Sequence, residues 1–568
     1  MGTDSELTTP AAGDEALLAH ARRWAEHDPD PATAAEVRGW IDSGDTEALA
    51  AAFAGPLAFG TAGLRAAVGA GESRMNRAVV IRTTYGLMRW LRRTVADPVV
   101  VVGCDARHGS AQFQKDVAKV VAAGGGTALV LPAENPTPLT AFTVRHAGAD
   151  AGVMVTASHN PPADNGYKVY LGGRVVTGDG QGSQLISLAD KEIAGEIAAA
   201  PAADEILAAA SDGRSADGDH SAHAAGETTR ANAAGEIRDV DTRAEYIGRA
   251  LQLTGPVTDL TIALTAMHGV GAAIGEELLN RAGFTVSLVP EQAEPDPDFP
   301  TVEFPNPEEP GALDLGKTHA EKIGADVLIA YDPDADRCAV AVPGDSGWRQ
   351  LTGDETGALL GDYLARRAAA GAENDAADAK GTFANSIVSS RLLGRIAEHY
   401  GYGHEETLTG FKWISRVPGL VFGYEEAIGF CPDPDAVHDK DGISTSVVLA
   451  SLAAELKAEG KTLVDRLAEI HAMVGPLTTR PLTFRVADTS LIGKAMEKVA
   501  TEPPTQFAGS PVAETKEFSQ GFIFFTEADD RVVVRPSGTE PKLKCYLESP
   551  DPERLAPISE GLRAYFGL

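Results

Sequence analysis

The sequence predicts an α/β protein built as three consecutive mixed α/β sheet domains plus a C-terminal α+β domain. Three observations predict this fold. The chain has 568 residues, which is more than one hydrophobic core can organise. Short apolar runs alternate with helix-length segments through most of the chain, as in sheets covered by helices. The C-terminal part instead contains closely spaced apolar runs, which are typical of β-hairpins.

The first elements follow from composition and apolar runs. Residues 15–54 are acidic and rich in alanine, which predicts helices. The first buried strand is predicted by the apolar run PVVVVGCD. From there we expect strands at 98–105, 127–134 and 149–157, with helices at 110–123 and 138–147 between them.

Residues 199–240 interrupt this pattern. They are mostly Ala, Gly, Asp, Ser and Thr with almost no large apolar side chain, which predicts a flexible, low-complexity insertion. After it, strands at 260–266 and 284–290 flank a helix at 272–282. Residues 325–342 predict two apolar strands joined by an acidic loop.

Changes in composition suggest the domain boundaries. Near the C-terminus, PLTFRVA, GFIFFTE, RVVVRPS and KLKCYLE predict the hairpins of a separate domain, closed by a helix near 552–566. We expect N-terminal helices at 1–54, a first domain at 55–198, the insertion at 199–240, a second domain at 241–345, a third at 346–470 and a fourth at 471–568.

Composition also indicates which kinds of partner and which cellular compartment to expect. Asp and Glu outnumber Lys and Arg by 81 to 49, so the net charge of −32 repels nucleic acid and anionic membranes, and we expect neither as a partner. The four cysteines form no CxxC pair, which argues against a disulfide framework and a zinc site. No secretory signal or apolar span is visible, so we expect a cytoplasmic protein, as a monomer or dimer.

The loop TASHNPPADNGYK (156–168) presents a candidate nucleophile. It follows an apolar strand, and open α/β sheets bind ligands at the carboxyl ends of their strands. Ser158 has His159 beside it, and Lys168 follows on the same segment. A serine hydroxyl needs a base or a metal for activation. From the residues alone, a structural Ser-His pair remains the alternative to a catalytic one.

The loop DPDADR (332–337) predicts a cation site. Asp332, Asp334 and Asp336 alternate in an extended segment, and three carboxylates so close repel one another unless a cation joins them. Oxygen-only ligands favour Mg²⁺ or Ca²⁺. An acidic surface turn is the alternative, although two apolar strands flank the loop.

Two further segments carry groups suited to a phosphorylated sugar. In GYEEAIG, Glu425 and Glu426 could accept hydrogen bonds from sugar hydroxyls, and the nearby Lys412 could supply positive charge. A solvated acidic turn is an equal alternative for this segment.

The segment RPSGTEPK offers anion donors in Arg535, Ser537 and Thr539, with Gly538 allowing backbone amides to approach the anion. A tight hairpin turn is the alternative. Arg65, in FGTAGLR, could make a bidentate contact with an anion through two of its guanidinium nitrogens. Together, a serine, a cation site, a polyol clamp and a phosphate clamp point to phosphoryl transfer on a sugar.

Five motifs occur in one order along the chain: FGTAGLR, TASHNP, DPDADR, GYEEAIG and RPSGTEP. In this order they resemble the α-D-phosphohexomutase superfamily, over nearly the whole chain except the N-terminal helices and 199–240. GYEEAIG, FGTAGLRA and SRMN look most like the branch with phosphoglucomutase-2 and phosphopentomutase. The resemblance implies four domains around a central cleft, each giving one loop.

The resemblance also implies roles for the site residues. Ser158 matches the serine that is phosphorylated in the resting enzyme. The metal would be Mg²⁺, held by Asp332, Asp334 and Asp336 with the phosphoserine as fourth ligand. The catalytic group would comprise Ser158, His159, Lys168 as general acid/base, Arg65 and Arg337. The substrate would be bound by Lys412, Glu425, Glu426, Arg535, Ser537, Gly538 and Thr539.

The implied activity is that of an intramolecular phosphotransferase, interconverting a sugar 1-phosphate and a sugar 6-phosphate. A bisphosphate such as glucose 1,6-bisphosphate would be intermediate and activator. Glucose phosphate is the first choice of substrate, with pentose and mannose phosphates as alternatives. Ala427 stands where glucose/mannose mutases usually have serine, and this departure argues against a preference for hexose phosphates. An aspartyl-phosphate phosphatase fits DPDADR poorly, and a non-catalytic phosphosugar-binding protein is the remote alternative.

Overall fold

The elements of the chain follow the predicted alternation closely. The computed structural model describes residues 12–58, 63–211, 235–345, 347–371, 380–486, 488, 490–537 and 542–567. These residues divide into two compact units. The first comprises the residues up to Ala244 together with His268–Val270 and Glu294–Asn306, and the second comprises Glu245–Met267, Gly271–Ala293 and the residues from Pro307 onward.

The first unit begins with three helices and continues as a mixed sheet with its helices. Its elements are α1 (Ala12–Glu26), α2 (Pro31–Ser43), α3 (Thr46–Ala52), β1 (Leu64–Ala67), α4 (Arg77–Leu91), β2 (Val99–Cys104), α5 (Ser110–Ala123), β3 (Thr127–Val130), α6 (Thr137–His146), β4 (Ala151–Val155), β5 (Asp164–Leu171), β6 (Ser183–Gln184), α7 (Ala189–Ala198), α8 (Ala203–Ser211) and β7 (Glu236–Asp239).

The first sheet has the strand order β1-β5-β4-β2-β3-β7, with β6 paired to β5. Strands β4, β2, β3 and β7 run parallel, whereas β5 is antiparallel to both β1 and β4. Cys104 at the end of β2 lies opposite Val155 at the end of β4, so the loops that follow these two strands leave the same edge of the sheet. That edge carries the predicted serine loop.

The 199–240 segment departs from the prediction at both ends. Residues Ala203–Ser211 form α8, whose Ala203 and Ile206 are buried against Ala78, Ile81 and Val120. Strand β7 pairs in parallel with β3 and extends the sheet. The expected flexible insertion is therefore wrong for these ends, because Ile206 supplies the apolar contact that seats the helix. Residues 212–234 lie outside the described residues.

The second unit contains the other three sheets. Its first elements are α9 (Arg243–Ala250), which begins at the boundary, β8 (Thr261–Thr265), α10 (Ala272–Arg281), β9 (Thr285–Leu288), α11 (Asp314–Ile323), β10 (Val327–Tyr331), β11 (Cys338–Gly344) and β12 (Gly347–Gln350). This sheet has the order β12-β11-β10-β8-β9. Its three parallel strands are β10, β8 and β9, and β11 and β12 are antiparallel additions.

A third sheet with its helices follows: α12 (Gly353–Gly371), β13 (Thr382–Ser386), α13 (Leu392–Tyr400), β14 (Gly403–Thr407), α14 (Phe411–Ile414), β15 (Leu420–Glu425), β16 (Gly429–Cys431), α15 (Gly442–Ala458) and α16 (Leu463–Val474). The strand order is β14-β13-β15-β16, and only β16 is antiparallel to its neighbour.

The last elements are β17 (Thr478–Arg485), α17 (Ser490–Thr501), β18 (Gln506–Phe507), β19 (Ser510–Phe518), β20 (Gly521–Thr526), β21 (Arg531–Pro536), β22 (Lys542–Ser549) and α18 (Leu555–Phe566). Their sheet, β17-β22-β21-β20-β19-β18, is antiparallel throughout. Leu482, Phe524 and Leu547 are among the buried residues packed between this sheet and its helices. The predicted fold class of three mixed α/β sheets and a C-terminal α+β domain is confirmed.

All four cysteines, Cys104, Cys338, Cys431 and Cys545, are buried, and none of them is paired in a disulfide. Among the described helices, none combines the length and the apolar character that crossing a bilayer requires.

Candidate functional site

Ser158 lies between β4 and β5 in a strained backbone conformation. Its φ is 52°, in the left-handed region that side chains other than glycine rarely adopt. The backbone N–H of Ser158 donates to Oγ1 of Thr156 at 2.9 Å, and its Oγ lies 3.2 Å from Nδ1 of His159. The serine is only 1% exposed. The loop therefore presents the hydroxyl in one orientation, beside a side chain able to exchange a proton.

Lys168 and Arg65 lie on the two strands next to this loop. Lys168 is on β5 and is 2% exposed, and Arg65 pairs in register with Gly166 across β1 and β5. Arg65 Nη1 donates to Oδ1 of Asn160 at 3.1 Å. A Cβ on Gly166 would lie 2.5 Å from the carbonyl oxygen of Thr156, so only glycine allows this approach. The first unit thus brings Arg65, Ser158, His159 and Lys168 into one segment of the fold.

Arg107 is a buried cation beneath the serine loop that the sequence reasoning missed. It follows β2 in the run CDARHG, and it donates hydrogen bonds to loop carbonyl oxygens, including that of Ser158 at 2.6 Å. One sequence signal could have found it. Arg107 follows a predicted strand, and in a parallel sheet the carboxyl end of that strand lies beside the carboxyl end of the strand before Ser158.

The second unit holds the predicted acidic group. Asp332, Asp334 and Asp336 are fully buried, and one carboxylate oxygen from each lies within 4.8 Å of the others. Burial, together with the neighbouring Asp334 and Asp336, raises the pKa of Asp332 well above its usual range. Ala335 has φ 55°, which turns the loop back between the acids. Three buried oxygen ligands at this spacing fit a hard divalent cation, since such an ion would relieve their repulsion.

Two cations flank these carboxylates. Lys440 places Nζ 3.3 Å from Oδ2 of Asp336. Burial opposes the charged form of Lys440, but Asp336 and Asp439 outweigh it and raise its pKa. Arg337 Nε lies 3.8 Å from Oδ1 of Asp336, and the surrounding carboxylates likewise raise its pKa against the effect of burial.

Arg337 also connects the acidic loop to the predicted sugar loop. Its Nη1 donates to the carbonyl oxygen of Ala427 at 2.9 Å, and the N–H of Cys338 donates to the carbonyl oxygen of Ile428 at 3.1 Å. Glu308, which the sequence reasoning also missed, lies with Oε2 3.8 Å from Nη1 of Arg337. The two loops are therefore held together through Arg337 and the backbone.

The two predicted glutamates have different surroundings. Burial raises the pKa of Glu425, while Lys440 and Arg337 act in the opposite direction. Glu426 instead accepts hydrogen bonds on Oε2 from the hydroxyls of Ser386 at 2.9 Å and Ser389 at 3.0 Å. Glu425 thus lies near the cations Lys440 and Arg337, whereas Glu426 is held within its own unit by two serine hydroxyls.

Of the remaining predicted substrate residues, Lys412 lies on α14, Arg535 lies on β21, and Ser537 follows β21. Lys412 is 8% exposed, and its carbonyl oxygen accepts from Arg416 Nη1. Arg535 donates to Oγ1 of Thr409 at 3.2 Å and to the Tyr546 hydroxyl at 3.1 Å.

Ser537 begins the turn after β21, and its N–H donates to the carbonyl oxygen of Lys542 at 2.8 Å. Gly538 and Thr539 lie outside the described residues. The described part of this turn is therefore a hairpin end that presents Arg535 next to hydroxyl groups.

Four family models match the chain in succession. They are the phosphoglucomutase/phosphomannomutase α/β/α domains I, II and III, at residues 56–199, 245–345 and 352–473, and the C-terminal domain at 483–564.

Known proteins match over similar lengths. A Haemophilus influenzae protein named "Probable phosphomannomutase" is 41% identical over 515 residues, covering 86% of this chain and 97% of that protein. A human phosphopentomutase is 34% identical over 558 residues, covering 88% and 87%. A phosphoglucomutase/phosphomannomutase family protein from Burkholderia thailandensis has a similar fold, with a TM-score of 0.66 at 18% identity over 90% of this chain and 96% of that one. The chain belongs to the phosphoglucomutase/phosphomannomutase family of the α-D-phosphohexomutase superfamily and is a phosphosugar mutase, an intramolecular phosphotransferase.

Proposed function

We propose that this mutase interconverts a sugar 1-phosphate and a sugar 6-phosphate, with glucose phosphate as the preferred substrate, through a phosphorylated Ser158. The observation that carries the proposal is the strained, buried presentation of the Ser158 hydroxyl 3.2 Å from His159. A loop held in this way presents the serine oxygen in one position. A group that alternately gives and receives a phosphoryl group must be positioned in this way.

The proposed reaction has two half-reactions. A sugar hydroxyl attacks the phosphorus of phospho-Ser158 and gives its proton to Lys168, while the bond from phosphorus to Oγ breaks and Oγ takes a proton from His159, 3.2 Å away. The resulting sugar bisphosphate, such as glucose 1,6-bisphosphate, then gives its other phosphoryl group back to Ser158. In this step Oγ returns its proton to His159 as it attacks, and Lys168 returns a proton to the sugar oxygen that leaves. Added bisphosphate would act as the activator by phosphorylating any free Ser158.

The residues of the second unit would bind the metal and the substrate. Asp332, Asp334 and Asp336 would hold Mg²⁺, which when bound supplies Lewis-acid stabilisation of charge on the transferring phosphoryl group. Arg337 would stabilise the same charge, and Glu425 would accept hydrogen bonds from sugar hydroxyls.

For the phosphate that does not react, we propose binding by Arg535 with Ser537, Gly538 and Thr539. Lys412 would add positive charge near the substrate. Glu426 would act through the position of its loop, because its Oε2 already accepts from two serine hydroxyls.

A pentose phosphate is the second candidate substrate. It is favoured by the similarity to the human phosphopentomutase and by Ala427, whose side chain offers no hydroxyl to a sugar. Mannose phosphate is a third candidate, because the Haemophilus influenzae relative is named as a probable phosphomannomutase.

Coupled assays with Mg²⁺ and a trace of glucose 1,6-bisphosphate test the proposal. One follows glucose 1-phosphate to glucose 6-phosphate, a second ribose 1-phosphate to ribose 5-phosphate, and a third mannose 1-phosphate to mannose 6-phosphate. Ser158→Ala should abolish turnover, whereas Ser183→Ala, which alters another buried serine of the same unit, should not. Intact mass should show about one phosphoryl group on the wild type and none on Ser158→Ala. Turnover by Ser158→Ala would exclude the phosphoserine mechanism. A faster reaction with the pentose or mannose phosphate would show that this sugar, and not glucose, is the preferred substrate.

A further inference from the structure

Arg107 makes an unusual set of contacts with the loop that carries Ser158. Its Nη2 donates to the carbonyl oxygens of Ser158 at 2.6 Å and Asn160 at 2.5 Å. Its Nη1 donates to the carbonyl oxygens of Pro161 at 2.8 Å and Asp164 at 3.0 Å. A guanidinium carries five N–H donors, two on each terminal nitrogen. Four of the five therefore bind the backbone of this single loop.

The guanidinium is itself held from two other sides. Its Nε lies 3.5 Å from Oδ2 of Asp105, whose Oδ1 accepts from the Arg107 N–H at 3.0 Å and from the Ser110 hydroxyl at 2.6 Å. The ring of Phe299 covers one face, with its centroid 5.0 Å from Cζ of Arg107. Arg107 is 3% exposed and Phe299 is 2% exposed. The cation is therefore fixed in place and screened from water.

These contacts account for the shape of the loop. Four carbonyl oxygens converging on one point repel one another unless a cation lies between them. The loop consequently curls around Arg107, and the curl includes the left-handed conformation of Ser158, with φ 52°. Such a conformation is unfavourable for residues other than glycine and persists only where surrounding contacts impose it.

We propose that Arg107 is the positioning residue that holds Ser158 in the geometry required for phosphoryl transfer. This inference rests on the proposed function of Ser158. Its four hydrogen bonds to the loop all go to carbonyl oxygens, so we infer that Arg107 acts through the backbone of the loop. Loss of these guanidinium hydrogen bonds should lower the rate of phosphoryl transfer far more than the affinity for substrate, because other residues contact the substrate.

Arg107→Lys is the principal test. Lysine keeps the positive charge, but its single nitrogen cannot donate to four carbonyls in the planar pattern of a guanidinium. Arg82→Lys is the matched control, since Arg82 also donates to backbone carbonyl oxygens in this unit, those of Ile197 at 3.2 Å and Ala200 at 3.3 Å, away from the serine loop. For each protein, kcat, KM and the thermal unfolding midpoint are measured on the substrate that wild type turns over fastest.

We expect Arg107→Lys to lose about 100-fold in kcat, the scale of a misplaced reacting group, with KM changed by no more than about threefold. Arg82→Lys should keep kcat within about twofold of wild type, even if its unfolding midpoint falls by as much as that of Arg107→Lys. Equal losses of kcat in the two variants, or normal kcat in Arg107→Lys, would overturn the inference. An inactive wild type would instead count against the proposed function itself.

A second pair of variants decides the matter if Arg107→Lys does not fold. Phe299→Leu removes the ring face over Arg107 and keeps an apolar cover, and Phe142→Leu changes a buried ring that stacks on His146 instead. We expect Phe299→Leu to lower kcat about fivefold, in line with a cation–π contact, and Phe142→Leu to leave it unchanged. Equal kcat in the two proteins would overturn the role of the Arg107 environment.

Discussion

Lys440 places its ammonium nitrogen 3.3 Å from Oδ2 of Asp336, one of three buried carboxylates that can hold a divalent cation. The lysine thus supplies part of the positive charge that this acidic group requires when no metal is bound.

This contact predicts competition between Lys440 and the metal. Lys440→Gln should lower the unfolding midpoint of the metal-free protein, because the three carboxylates lose a nearby cation. It should also enlarge the stabilisation by Mg²⁺, with affinity higher by about tenfold. Titration of Mg²⁺ into EDTA-treated protein, followed by thermal unfolding, measures both effects. Lys457→Gln, which breaks an exposed pair with Asp326, should leave both unchanged. Unaltered Mg²⁺ affinity in Lys440→Gln would contradict the prediction.

The buried pairing of Glu548 with Arg391 predicts a large loss of stability. Glu548 is 3% exposed and accepts hydrogen bonds from the Ser390 hydroxyl at 2.6 Å and the Arg391 N–H at 2.8 Å, as well as from the Arg391 guanidinium. Glu548→Ala should cost about 3–5 kcal/mol of unfolding free energy, because it leaves Arg391 without this buried partner.

The matched control for Glu548 uses the other acid that pairs with Arg391. Asp529 is half exposed, so Asp529→Ala should cost only about 0–1 kcal/mol. Urea unfolding of the two variants compares them directly. Equal losses would show that burial does not separate the two ion pairs.

The close approach at Gly166 predicts a steric penalty. A Cβ there would lie 2.5 Å from the carbonyl oxygen of Thr156 and 2.6 Å from that of Leu64, so Gly166→Ala must separate β1 from β5. We expect a loss of about 3 kcal/mol. Gly195→Ala, on α7 with nothing within 4 Å of the new Cβ, should instead stabilise by about 0.5–1 kcal/mol. Chemical denaturation measures both, and a neutral Gly166→Ala would refute the packing described here.

His404 predicts a stability change in mild acid. Burial lowers the pKa of His404 to about 4, and its Nε2 lies 2.6 Å from Oδ1 of Asn385. The unfolded chain binds a proton near pH 6.5, whereas the folded chain resists it until about pH 4. The contribution of the neutral ring is therefore complete above pH 6.5 and is lost as the pH falls toward 4.

The test is the difference between wild type and His404→Gln. Between pH 7 and pH 4.5, the unfolding free energy of wild type should fall by about 2 kcal/mol more than that of the variant. Parallel pH profiles for the two proteins would show that His404 is not the group responsible.

The sequence alone was sufficient for the alternation of elements and for the grouping of the acids in DPDADR. Local apolar runs predicted β2, α5, β8 and β10 close to their observed bounds, because strand and helix patterns depend on neighbouring residues. The spacing in DPDADR predicted for the same reason that Asp332, Asp334 and Asp336 lie close together, and the structure shows them as one buried group.

Tertiary structure decided which side chains support those loops. Arg107 meets carbonyls of a loop far along the chain, and Lys440 reaches Asp336 from a separate segment. Another contact of this kind is the packing of Ile206 against Val120, which holds the helix at the start of the 199–240 segment. Side-chain partners distant in the chain leave no local pattern, because they meet only after the strands have paired and the helices have packed.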